Sequence, residues 1–155
     1  MKSCILSKTP AAGFSLMELL TTLLIVGVLA AIAVPTYNAQ TRKSRRTEAR
    51  TALLDLAGRE ERLFSTTNAY SNKPVDLGYG VADATFPMNV GSGYYSVAVQ
   101  VDNSVTPATF TLTATPVAGK GQDKDTQCVT FSVTQTGKQS AGSSSSADTT
   151  DTCWG

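Results

Sequence analysis

Residues 13–34 read GFSLMELLTTLLIVGVLAAIAV, and from Phe14 to Val34 the only charged side chain is Glu18. At about 1.5 Å of rise per residue, this run makes a helix of about 30 Å, the thickness of a bilayer's hydrocarbon core. The remaining chain is polar, with alternating stretches and many Gly, Ser and Thr. The sequence is thus an apolar N-terminal rod joined to a soluble head. Its 155 residues suit one small domain beside that rod.

Composition narrows the chemistry. Thirteen basic residues face twelve acidic ones, so net charge does not point to a nucleic-acid binder. There is no histidine, which removes the commonest general base and the commonest transition-metal ligand. The sequence has no CxxC, no phosphate-cradling glycine loop and no nucleophile–base pair. We therefore expect no enzyme, no cofactor and no metal. The stretch GQDKDTQ at 121–127 sets Asp123 and Asp125 two apart, but the full spacing of a calcium loop is missing.

The segment before the rod is unusual. Residues 1–13, MKSCILSKTPAAG, carry Lys2 and Lys8, and Ala11, Ala12 and Gly13 precede the apolar run. An ordinary secretory signal places its small-residue cleavage site after the apolar stretch. Here, cleavage after Gly13 leaves the apolar helix on the mature chain. The two lysines hold the leader on the cytoplasmic side.

The octapeptide GFSLMELL, Gly13 to Leu20, resembles the class III signal of type IV pilins and related pseudopilins. In that pattern Gly and Phe are followed by three residues, then Glu, then a long apolar stretch. Pro35 and Tyr37 also fit it. The head resembles minor pilins of the PilE and ComP type in TFTLTATPVAG (109–119), Cys128 and the final Cys153-Trp154. The resemblance implies cleavage by a prepilin peptidase between Gly13 and Phe14, and N-methylation of Phe14. It implies a single-pass inner-membrane protein that later joins a cell-surface pilus, with its head periplasmic and then extracellular. The implied partners are other pilin subunits, the peptidase and the inner-membrane assembly machinery, with separate ATPases driving extension and retraction. The implied roles are twitching motility, adhesion and DNA uptake. A DNA-binding competence pilin and a type II secretion pseudopilin are the alternatives.

Glu18 can be argued from its own chemistry. A carboxylate within an apolar helix costs several kcal/mol unless paired. Its natural partner in a filament is the free amine of Phe14 on a neighbouring subunit. Such a pair fixes axial register, the best-attested use of buried ion pairs. The alternative is that Glu18 sits near the membrane interface and snorkels to water. Thr21 and Thr22 need only bond back to helix carbonyls.

Pro35 removes one helix hydrogen bond and is expected to bend the helix. Gly27 is a second weak point and a place for close helix contact. Beyond Pro35, Arg42, Lys43, Arg45, Arg46 and Arg50 form a basic cluster interrupted by Glu48. It reads as a solvated face or one that pairs with acids of neighbouring subunits. The other reading is a site for DNA or anionic lipid. Ala49, Ala52, Leu53, Leu56, Ala57, Leu63 and Phe64 recur at helical spacing and need an apolar partner. Asp55 and Arg59 are spaced to pair on the polar side, while Gly58 weakens the helix by about 1 kcal/mol. One helix is expected over about 14–66. Its first part, 14–35, is membrane anchor or filament core, and 36–66 is amphipathic.

The head covers 67–155. Residues 67–93 read as a loop. Strands are expected at 94–101, 109–115 and 128–134, with a turn at Thr136-Gly137 and a short fourth strand after it. Sequential strands joined by loops favour antiparallel pairing, giving an α+β fold with a sheet of about four strands on the helix. Residues 142–152, GSSSSADTTDT, read as a mobile low-complexity loop. Cys128 and Cys153 can pair across about 25 residues, which stabilises by roughly 3–4 kcal/mol in the chain-entropy picture. That pairing fits an oxidising compartment, and the alternative is two free thiols in a reducing one. Trp154 reads as a packing residue. Lys73, Lys120, Lys124 and Lys138 are interspersed with Asp123, Asp125, Asp148 and Asp151, which weakens the case for DNA on the head.

Overall fold

The computed structural model describes residues 13–79 and 84–155. The leader expected over 1–13 therefore lies outside the described residues, except for Gly13, and so does Cys4. Helix α1 runs Leu16–Thr67. Five strands follow: β1 (Met88–Val90), β2 (Tyr95–Asp102), β3 (Thr109–Pro116), β4 (Thr130–Thr134) and β5 (Gln139–Gly142), and then the short helix α2 (Thr150–Trp154). The chain divides into two compact units, one ending at Ala39 and the other spanning Gln40–Gly155.

In the first unit the helix buries nothing. Leu19, Leu23, Ile25, Val28, Leu29, Ile32 and Val34 are all exposed. This part of α1 is long and apolar enough to cross a membrane, with a mean hydropathy of 2.4 over its best window. The helix continues without interruption through Pro35. Thr36 Oγ1 donates to the Ile32 carbonyl at 3.0 Å, one residue beyond the bond that Pro35 cannot make.

In the second unit α1 buries Ala49, Leu53 and Leu56 against the sheet, and Gly58 does not interrupt it. The strands follow one another in space as they do in sequence, β1-β2-β3-β4-β5, all antiparallel. Alternate residues face inward, so Val97 pairs with Ala114, Val99 with Leu112, Leu112 with Val133, and Phe131 with Ala141. These cross-strand apolar pairs meet the apolar stripe of α1 and form the core. Tyr95 and Trp154 meet the Phe131 ring edge-on, with centroids 5.9 and 6.0 Å away.

The α+β architecture holds, with one correction. The sheet has five strands rather than about four. The extra strand, β1, lies inside the 67–93 stretch read as loop, because three residues after Pro87 are too short to show alternation. The serine-rich segment, read as a low-complexity loop, also carries regular bonds. Ser143 N–H bonds Ala147 O at 3.0 Å, Gly142 bridges Asp148, and Cys153 is disulfide-bonded to Cys128. Low complexity hid a segment bonded between two anchored ends. At the β1–β2 turn Gly91 has φ of +54°, and a side chain there would collide with the Glu48 carboxylate. That carboxylate accepts from Ser92 N–H and ties the turn to α1.

Candidate functional site

The residues expected to carry assembly lie at the start of α1. Gly13 to Ser15 precede the helix, and Glu18 stands in its first turn. Four unbonded N–H groups and the helix dipole favour a negative charge there. Phe14 is 81% exposed, and Glu18 is exposed as well. Among the described residues the Glu18 carboxylate has no partner. Thr21 and Thr22 bond back to the carbonyls of Glu18 and Leu19, at 3.0 and 2.9 Å. The start of α1 thus exposes one acid, one aromatic and an apolar surface.

The basic cluster is arranged differently from either reading of the sequence. Three of its cations are used by the chain's own head. Arg46 grips Asp125 through two bonds, Nε to Oδ2 at 2.7 Å and Nη2 to Oδ1 at 2.8 Å. Both partners are largely buried, at 17% and 3% exposure. Asp125 also accepts from Gln122 Nε2 (3.1 Å) and from the N–H groups of Gln127 and Cys128 (3.3 Å each). Gln122 in turn donates to the Tyr95 hydroxyl at 2.9 Å, and burial pushes that phenol up to about 12. Arg50 Nη1 donates to Trp154 O at 2.9 Å, and the Arg45 guanidinium lies 3.7 Å from the Tyr94 ring centre. Asp125, which sequence reading weighed as a calcium ligand and as one of the acids among the head lysines, is therefore the counter-ion of Arg46. Asp123 accepts from Gly119 N–H at 3.0 Å, which holds its carboxyl below the usual range. The expected Asp55–Arg59 pair is present at 2.8 Å.

Sequence reading missed Arg46 and Glu60 as inward-facing residues. Both share the phase of Ala49, Leu53 and Leu56, at steps of three and four residues along α1. The signal was in the spacing, but an apolar-only count passes over charged members of the same stripe.

The family model described as type IV minor pilin ComP, DNA uptake sequence receptor, matches residues 35–132. The chain belongs to the type IV minor pilin family. The prokaryotic N-terminal methylation motif matches residues 8–34 of this pilin. Type IV major pilin protein PilA of Myxococcus xanthus is 36% identical over 67 residues, which are 43% of this chain and 30% of that protein. The match thus spans less than a third of that relative's length. A solved type IV pilin from Shewanella oneidensis is 23% identical, with a TM-score of 0.42 over 63% of this chain and 89% of that one.

Proposed function

We propose that this pilin is cut between Gly13 and Phe14 and methylated on Phe14. Helix 14–35 then holds it in the inner membrane until it enters a surface filament. The amphipathic part, 36–66, carries the head 67–155 outside the membrane. Its work is structural rather than catalytic. The observation that carries this reading is the combination of Glu18 in the first turn, without a partner among the described residues, and an exposed apolar surface from Phe14 to Val34. In lipid that surface is satisfied and the acid is not. Among neighbouring helices, the acid meets the new amine of Phe14 and sets the stagger between subunits. The prepilin peptidase and the assembly machinery act on the same segment. Mass spectrometry of the mature chain is expected to find methylated Phe14 at its start. Glu18→Ala is expected to be processed normally yet lost from sheared filaments. A different first residue, or undiminished incorporation of the alanine variant, refutes the proposal.

A second reading is DNA capture by the filament, favoured by the description of the matching family. Arg42 and Lys43 are the cluster members not bonded to the head, and Arg45 stacks on Tyr94 beside them in sequence. Salt-sensitive retardation of duplex DNA by the full chain, weakened by R42A/K43A, tests it. Unretarded DNA rules it out.

A further inference from the structure

The loop between α1 and β1 is tied to the helix by side chains rather than by a ladder of backbone bonds. Asn103, just after β2, clasps the backbone of Tyr70, with Tyr70 N to Oδ1 and Nδ2 to Tyr70 O both at 3.0 Å. The Tyr70 hydroxyl donates to Glu61 Oε1 at 3.0 Å. Ser71 Oγ donates to Asp76 Oδ2 at 2.6 Å, and Ser71 N–H donates to Glu60 Oε2 at 3.1 Å.

Glu60 stands out within this cluster. It is 0% exposed, and its Oε1 has no hydrogen-bond partner among the described residues. The charges that act on it are Glu61, beside it on α1, and Asp76, on the loop, both of its own sign. The nearest cation in sequence, Arg59, is engaged by Asp55 and by the Leu77 carbonyl. Arg62 and Lys73 are exposed. From the sheet side the polar group at this loop is Asn103, which is neutral and occupied by Tyr70. Burial, with these like charges, pushes the Glu60 carboxyl up to about 7, against the pull of the single Ser71 N–H. An acid so placed is at home only while it keeps its proton.

We propose that Glu60 is a proton-operated latch: protonated, it stays inside and holds Ser71, and once ionised it draws in water and frees the 69–79 loop from α1. The proton passes to solvent as the loop opens, and closing takes one back. The loop supplies Asp76, Leu77 and Gly78 to the rim of a shallow groove beside Arg59, Arg62 and Thr66. The surface that the head shows to its surroundings therefore differs on the two sides of neutrality.

The test is nuclear magnetic resonance of the labelled full-length chain in detergent micelles, from pH 5 to 8.5. The Glu60 carboxyl carbon is expected to titrate with a midpoint near 7. The exchange protection of Ser71 N–H is expected to fall about tenfold between pH 6 and 8, following the ionised fraction. In Glu60→Gln that protection is expected to stay constant. Should E60Q fail to fold, Glu61→Gln serves: removing a like charge lowers the midpoint, and the loop's pH dependence moves with it. A Glu60 midpoint near an ordinary carboxylate's overturns the latch. So does a fall in protection that persists unchanged in E60Q, or a midpoint that E61Q leaves in place.

Discussion

The two parts of α1 share one continuous backbone but resolve their side chains in opposite ways. Up to Ala39 the helix carries large apolar residues on every side and buries none of them. From Gln40 onward it carries a narrower apolar stripe, of which Ala49, Leu53 and Leu56 are fully covered and Ala52, Ala57, Leu63 and Phe64 partly so. The charged residues differ in the same sense. Glu18 has no partner among the described residues, whereas Arg46, Arg50 and Arg59 each have one. The difference teaches that helix propensity says little about a helix's job. What decides it is whether the side chains find their partners inside the chain or must look outside.

The sharpest way to break this comparison is at Asp125. Asp125→Ala strands Arg46, which is mostly buried, and is expected to cost the head about 3–5 kcal/mol in urea unfolding. Glu18→Ala, the corresponding change in the apolar part, is expected to leave that transition unmoved. Leu53→Ala opens a hole beneath the sheet and is expected to cost about 2–5 kcal/mol. Leu23→Ala, at an exposed position, is expected to cost the head nothing measurable. The third comparison is one of pH. The Glu60 carboxyl is raised from 4.5 to about 7 in the folded chain. Between those values the folded state holds a proton that the unfolded state has released, so head stability falls as pH rises through this window. The loss levels off above about pH 7, reaches at most about 3 kcal/mol, and is abolished in E60Q. Asp102, Asp123 and Asp148 have lowered carboxyls, so they act at more acid pH and do not mask this slope. The smallest effect is expected at the solvent-exposed Asp55–Arg59 pair, where Asp55→Ala costs about 1 kcal/mol or less.

Much of this division could be read from residue order. The run from Phe14 to Val34 needs only length and hydropathy to declare itself, and the strands at Tyr95, Thr109 and Thr130 show their alternation plainly. Three features were hidden, each for a physical reason. Strand β1 owes its place to pairing with Ser96 and its neighbours, and three residues are too few for a pattern. The bonding of 143–152 comes from tethers at its ends, not from its composition. The Arg46–Asp125 clamp joins residues 79 positions apart, a distance that no local spacing reports. At the N-terminus Glu18 was legible because its peculiarity is local: one charge in an apolar run.

The strand order carries a kinetic consequence. Every strand pairs with its neighbour in sequence, so the sheet can zip up one hairpin at a time. Contacts of short sequence separation favour rapid folding. The closure of α1 onto the sheet, the Arg46–Asp125 clamp, the Tyr70–Asn103 clasp and the Cys128–Cys153 bond demand longer searches. A head built in this way can complete most of its sheet from local hairpins, before the longer closures are made.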